Sequence, residues 1–136
     1  MNNIEIEPTY KSPKVTFNGS EGILKIEGKS ILVNVEDFYR PLLDWFDEYI
    51  SQPNIDKVEF TFDIEYFNLA STKRFLFFLV KLNELKKQGK DIVVNWVFAT
   101  NDKYIYEMGK DLSQMLKMDF NFVGYEKLKQ KAFSTY

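Results

Sequence analysis

The chain contains no cysteine and no histidine. Without cysteine it can form neither a disulfide nor a thiolate metal site. Without histidine it lacks the side chain that most often serves as general base and as zinc ligand. Ser–His–Asp catalysis, Cys–His catalysis and most zinc sites are therefore excluded, and we expect a protein that is not an enzyme and that holds no metal and no cofactor.

Strong positive charge and long apolar runs are also missing. The net charge is −2, which gives no electrostatic case for binding nucleic acid. No apolar run approaches the roughly 20 residues that span a bilayer. Residues 1–5 lack the charged and apolar regions of a signal peptide. We expect a cytoplasmic protein that binds neither nucleic acid nor membrane.

What the chain does contain suits one packed domain. Hydrophobic residues make up 45% of its 136 residues, which is enough for a core, and aromatic residues make up 17%, which predicts bulky packing. Because neither a linker nor an internal repeat interrupts the sequence, we predict a single domain over residues 1–136.

Alternation of apolar and polar residues predicts the strands. Residues 10–18 and 23–26 flank turn residues and predict a hairpin. Residues 58–65 alternate strictly, which indicates a strand with one buried and one wet face. Residues 92–98 are nearly all apolar, as in a central strand, and residues 120–123 predict a short last strand.

Apolar residues at helical spacing predict three helices between these strands. The first is capped by Asn34, with Asp37 three residues later, and contains Pro41, which either kinks the helix or starts its main segment. The second begins near Leu69 and ends at Gly89. The third follows Asn101 or Asp102, and residues 125–133 predict a final helical turn or two. Trp45 and Trp96 lie on apolar faces and are predicted to be core residues.

The element order predicts an α/β fold with a mixed β-sheet and helices mainly on one face. Strand–helix–strand units favour parallel strands joined by right-handed crossovers, whereas the opening hairpin is antiparallel. The predicted core includes residues from three strands and two helices: Leu42, Phe60, Phe62, Leu79, Val94 and Trp96.

Residues 66–73, which we name the switch turn, join the third predicted strand to the second helix. Their sequence is YFNLASTK. A polar strand-to-helix junction presents free backbone N–H groups at the positive end of a helix dipole, where phosphate or carboxylate binds well.

Four stretches of the sequence resemble one family. They are GILKIEGKS at residues 22–30, FYRPLLDW at 38–45, the switch turn, and EMGKD at 107–111. In this order they are similar to the SiaC-like regulatory phosphoproteins, which have a STAS-like (anti-anti-sigma-like) fold. In that family the turn reads roughly Tyr-Phe-Asn-Thr-Ser-Ser-Ser-Lys, and the Thr after Asn is phosphorylated.

The resemblance implies a non-enzymatic signalling adaptor of a bacterial phospho-switch. Members of the family are phosphorylated by a SiaB-type protein kinase and dephosphorylated by a PP2C-like phosphatase. The unphosphorylated form binds a downstream effector protein such as a diguanylate cyclase, and so regulates biofilm formation.

This chain departs from the family at the acceptor, since Leu69 occupies the Thr position and Ala70 replaces a Ser. Ser71 and Thr72 are the remaining phosphoacceptor candidates, although hydroxyls at a helix start also serve simply as caps. Asn68 is interpreted first as the N-cap. The predicted partner-binding residues are those of the turn and of the helix start: Asn68, Leu69, Ala70, Ser71, Lys73 and Arg74.

Two further interpretations remain open. Leu69 favours a constitutive protein-binding module that has lost its switch. Asp63 and Glu65, on the wet strand face, are the candidates for a small carboxylate-based enzyme, although alternate acids on an exposed strand are usually only solvated.

Overall fold

The computed structural model describes residues 1–127, which form one mixed sheet covered by helices. Its strands are β1 (Ile4–Ile6), β2 (Lys14–Asn18), β3 (Ile23–Ser30), β4 (Lys57–Phe67), β5 (Asp91–Ala99) and β6 (Asn121–Tyr125). Its helices are α1 (Val35–Ile50), α2 (Leu69–Lys87) and α3 (Lys103–Leu116). The helical turn predicted at residues 125–133 lies largely outside the described residues, and Tyr125 itself ends β6.

The spatial order of the strands is the order of the chain, from β1 to β6. β1, β2 and β3 pair antiparallel, and β3 to β6 pair parallel. Each helix connects one parallel strand to the next in the same direction, and right-handed crossovers then place all three helices on one face. The predicted α/β fold with helices mainly on one face is confirmed.

The core lies between the sheet and this single helical layer. Along β4, alternate residues from Val58 to Ile64 are buried, and their neighbours from Glu59 to Glu65 are half-buried on the uncovered face. All six residues predicted to be core are buried. Phe60 and Phe62 stack at 4.6 Å between ring centroids, and Phe62 packs against Phe75 of α2. At ~25 cal/mol per Å², such aromatic burial dominates the stability of the domain.

Local sequence signals set the helix ends. Asn34 accepts a hydrogen bond from the Asp37 backbone N–H at 3.3 Å and so caps α1, which continues through Pro41. Asp102, rather than Asn101, caps α3. Gly89 follows α2 at a φ of +89°, the left-handed conformation expected of a residue after a helix.

Three predictions about this part of the chain need correction. The second strand begins at Lys14 rather than at residue 10, because the Thr9 side chain accepts from the Ser12 N–H at 3.0 Å and folds residues 9–12 into a turn. The first strand, Ile4–Ile6, was not predicted. Trp45 is only half-buried: it packs at the rim of the core, and its indole N–H donates to the Asn2 carbonyl at 2.9 Å.

Candidate functional site

The switch turn lies at the edge of the sheet where the parallel strands end, which we name the carboxyl edge. β4 stops at Phe67, Asn68 adopts an extended conformation, and α2 starts at Leu69. The Asn68 side chain accepts from the Ser71 N–H at 2.9 Å and donates to the Leu32 carbonyl, also at 2.9 Å. Asn68 is therefore the N-cap, as predicted, and it also ties the turn to the segment after β3.

The outer side of the turn consists of Leu69, Ala70 and Lys73, all of which are exposed. Leu69 stands out, because 86% of its surface is accessible. An isolated exposed leucine is ordinary on a protein surface. This leucine, however, occupies the position that the family resemblance predicts to correspond to the phosphorylated Thr, and the structure leaves its side chain exposed.

The inner side of the turn is a buried chain of three hydroxyls, which we name the hydroxyl relay: Tyr39, Ser30 and Ser71. The Ser71 hydroxyl donates to the Ser30 carbonyl at 2.9 Å and accepts from the Ser30 hydroxyl at 2.8 Å. Ser30 has a single hydroxyl proton, so the Tyr39 hydroxyl, 2.5 Å away, donates to it. Burial raises the pKa of Tyr39 far above its usual value, so this phenol remains a donor.

The relay bears directly on the predicted phosphoacceptors. Ser71 is fully buried, and both its hydroxyl proton and an oxygen lone pair are occupied. A kinase cannot reach Ser71 in this conformation, nor can a partner protein touch it. Thr72 is half-buried and donates only to the Asn68 carbonyl at 3.3 Å, so its hydroxyl is the more accessible of the two candidates.

Arg74 faces α1 and not the turn. It contacts Glu36 at 2.8 Å, and Glu36 also pairs with Arg40 at 2.7 Å. Hydrogen bonds from Arg40 and Arg74 hold the pKa of Glu36 below its usual range. The ion pair between Arg74 and Glu36 therefore links α2 to α1. Lys73, the other cation among the predicted partner-binding residues, is exposed.

The carboxylates proposed for catalysis lie on the uncovered face of the sheet. Burial raises the pKa of Asp63, with Glu27 and Glu65 adding to the effect and Lys25 opposing it. Asp63, Glu65 and Glu27 line a shallow cavity of about 470 Å³ together with Tyr125. Within residues 1–127, no group of three or more acidic side chains is arranged to hold a metal ion.

Trp96 of β5 packs closely against α3, the helix that carries the EMGKD stretch. The Trp96 indole N–H donates to the Ile105 carbonyl at 2.9 Å in the buried interface between β5 and α3. A Cβ on Gly109 would lie 2.4 Å from Trp96 Nε1. The EMGKD stretch at residues 107–111 therefore has a packing reason for its glycine, because only a residue without a side chain lets α3 approach this tryptophan.

No helix of residues 1–127 is long and apolar enough to cross a membrane.

Comparison with known proteins agrees with this architecture. An uncharacterised protein of Pseudomonas aeruginosa strain UCBPP-PA14 is 19% identical over 120 residues, which is 88% of this chain and 94% of that protein. Two solved structures of SiaC from P. aeruginosa, one of them a crystal structure of the apo form, superpose with TM-scores of 0.79 at 19% identity. The apo-form match covers 91% of this chain and 98% of the matched chain.

A third structure shows the same fold in a complex. A chain in the crystal structure of the P. aeruginosa diguanylate cyclase SiaD with its activator SiaC matches with a TM-score of 0.84 at 18% identity. The match covers 90% of this chain and 99% of the other. In addition, the model of the SiaC family regulatory phosphoproteins, which are regulators and not enzymes, matches residues 6–125. This chain therefore belongs to the SiaC family of regulatory phosphoproteins.

Proposed function

We propose that this chain is a cytoplasmic signalling adaptor that binds a downstream effector protein, such as a diguanylate cyclase, through the outer side of its switch turn. The observation that carries the proposal is the exposure of Leu69, 86%, at the position where relatives are phosphorylated. An exposed leucine offers apolar area to a partner, and its burial would contribute about 1.5–3 kcal/mol to binding. The output would be regulation of biofilm formation.

Leu69 also favours a second form of this function, a constitutive adaptor. A phosphate at this position would add about −1.5 to −2 charges beside a docked partner and would disrupt an apolar contact through desolvation. Leu69 cannot carry a phosphate, so the binding-competent state would be permanent. Control by a SiaB-type kinase and a PP2C-like phosphatase would then act only through Thr72, the more accessible of the two remaining hydroxyls.

Calorimetry with Leu69→Glu tests the binding surface. The partners are the purified diguanylate cyclases of the source genome, titrated with the wild-type protein and with the variant. We expect at least one cyclase to bind the wild type and the variant to bind it at least ~30-fold more weakly, because the new carboxylate must be desolvated. Met115→Glu is the matched control, since Met115 is also exposed but lies near the end of α3.

Equal affinity of wild type and Leu69→Glu, with unchanged melting curves, would remove the turn from the interface. Failure of every cyclase to bind would contradict the choice of effector.

Phosphate-affinity gels with the SiaB-type kinase of the source genome separate the switched form from the constitutive form. If the switch acts through Thr72, the wild type becomes phosphorylated and Thr72→Ala does not. If the chain is constitutive, wild type stays unmodified and only Leu69→Thr gains a phosphate.

A further inference from the structure

The carboxyl edge carries an unusual share of the exposed apolar surface. Five large apolar side chains are exposed there, on four separate segments of the chain: Tyr10, Val33, Tyr66, Leu69 and Tyr104. We name them the edge patch. Val33, just before α1, is 93% exposed. Contiguous exposed apolar groups of this kind mark interaction surfaces, whereas single ones do not.

Direct contacts show that these segments adjoin one another. The Lys29 ammonium lies 5.2 Å from the Tyr10 ring centroid and 5.8 Å from that of Tyr66. The Tyr104 ring lies 6.2 Å from that of Phe67, the residue after Tyr66. Asn68 donates to the carbonyl of Leu32, the neighbour of Val33. The patch therefore extends well beyond the switch turn, across the starts of all three helices.

The same edge is electropositive for two independent reasons. Strands β3, β4 and β5 are parallel, and all three end at the carboxyl edge. The helices that follow them, α1, α2 and α3, therefore all begin at this edge, with the positive ends of their dipoles toward the patch. Four lysines also lie on the segments of the patch: Lys11, Lys29, Lys73 and Lys103. Within residues 1–127, none of the four forms an ion pair.

Three acidic side chains of this edge are held by caps or ion pairs, whereas Glu65, beside Tyr66, is half-buried and forms no ion pair within residues 1–127. Glu36 is shared by two arginines. Asp102 caps α3 by accepting from the Ile105 N–H at 3.1 Å, and Asp37 lies in the first turn of α1. Their charges offset the local arginines and helix ends, while the four lysines form no ion pair with any residue of 1–127.

We propose that the edge patch docks a protein segment that is both apolar and acidic, such as an amphipathic helix with leucines on one face and carboxylates beside them. The proposal rests on the proposed adaptor function and specifies its partner. Apolar side chains of the segment would cover Val33, Leu69 and Tyr104, and its carboxylates would meet the unpaired lysines. A phosphate on this surface would repel such a segment, which gives the family's switch an electrostatic basis here.

A pair of synthetic peptides tests the chemistry without any effector. Both peptides have about 14 residues, with leucine at positions i, i+3, i+4 and i+7, which share one face when the peptide becomes helical on binding; the remaining positions are Glu in one and Lys in the other. In titrations followed by amide chemical shifts, we expect the acidic peptide to bind at least about tenfold more tightly and to shift residues 31–34, 66–70 and 103–105. The preference should shrink as salt is raised past 0.1 M, where the Debye length falls to about 10 Å.

The charge substitutions are placed outside the switch turn. Their effect on peptide binding can then be separated from the effect of Leu69→Glu on cyclase binding. Lys11→Glu combined with Lys103→Glu should abolish or reverse the preference for the acidic peptide. Lys57→Glu combined with Lys86→Glu is the matched control, because both lysines are exposed at the opposite ends of β4 and α2. Thermal melts of both double variants confirm that the domain stays folded.

Several results would overturn the proposal. They are equal binding of the two peptides, no binding of either, shifts elsewhere in the domain, or a Lys11/Lys103 variant that behaves like the control. A homodimer in sedimentation that buries these residues would make the patch an interface between copies and would also reject the acidic partner. The proposed function is tested separately: absent cyclase binding rejects the choice of effector, and cyclase binding insensitive to Leu69→Glu rejects the switch turn as the interface.

Discussion

The two sides of the first turn of α2 differ sharply although they are formed by adjacent residues. On the outer side, Leu69 and Lys73 contact solvent. On the inner side, Ser71 is fully buried and hydrogen-bonded to Ser30. We expect a change of charge on the outer side to alter binding of a partner, and the same change on the inner side to alter the stability of the fold. The neighbouring hydroxyls of Ser71 and Thr72 therefore differ in accessibility.

The largest effect is expected for Ser71→Glu. The new carboxylate would be buried without a cation to pair with, which costs at least about 3 kcal/mol of unfolding free energy. Leu69→Glu, on the outer side, should change the free energy of unfolding by less than about 0.5 kcal/mol, since acids are tolerated at helix N-termini. Urea denaturation of both variants measures the contrast, and similar losses would show that the two sides do not differ.

A smaller effect is expected when the hydroxyl relay is shortened. Ser71→Ala leaves the Ser30 hydroxyl without its acceptor and should cost about 1–2 kcal/mol, and Tyr39→Phe should cost about 1 kcal/mol. The double variant should lose less unfolding free energy than the sum of the two single losses, because Ser30 takes part in both hydrogen bonds. Strict additivity in a double-mutant cycle by urea denaturation would contradict a connected relay.

Thr72→Ala should change stability least among the hydroxyl variants, by about 0.5 kcal/mol or less. Its bond to the Asn68 carbonyl is long, at 3.3 Å, and alanine is the better helix former. Urea denaturation of Thr72→Ala and Ser71→Ala under the same conditions checks this expectation. If both variants lose the same free energy of unfolding, Thr72 belongs to the inner side.

On the uncovered face of the sheet, the expected effect is small and of opposite sign, a gain in stability. Burial raises the pKa of Asp63, so its ionised form is less favoured in the folded state than in the unfolded chain. That penalty is complete above the folded pKa and disappears as the pH falls below the unfolded value near 3.8. Asp63→Asn should raise the melting temperature at pH 7, through a gain below about 1 kcal/mol because the group is half solvated. Thermal melts at pH 7 and pH 3 check that the advantage is lost in acid.

The outer side of the site could be predicted from local sequence preferences. Asn68 as N-cap and Gly89 after the helix follow from the preferences of single residues at helix ends. The alternation from Val58 to Glu65 fixed which face of β4 is buried. The exposure of Leu69 followed from its place at a strand-to-helix junction.

The inner side depends on residues far apart in the sequence. Ser71 meets Ser30 across 41 positions, and Arg74 meets Glu36 across 38. No local sequence pattern predicts that a serine at the start of a helix will pack against a serine at the end of a strand. Strand β1 was missed for a similar reason, because three residues carry too little periodicity and their pairing with β2 is decided by tertiary contacts.

The agreement between chain order and strand order has a consequence for synthesis. Because every strand from β2 onward pairs with its immediate predecessor, each new strand–helix unit leaving the ribosome finds its neighbouring strand already made. Folding can then proceed from the N-terminus without waiting for distant segments, which shortens the time that an unpaired strand edge is open to aggregation. β6, the last strand within residues 1–127, pairs with β5 only after the other five strands have been made.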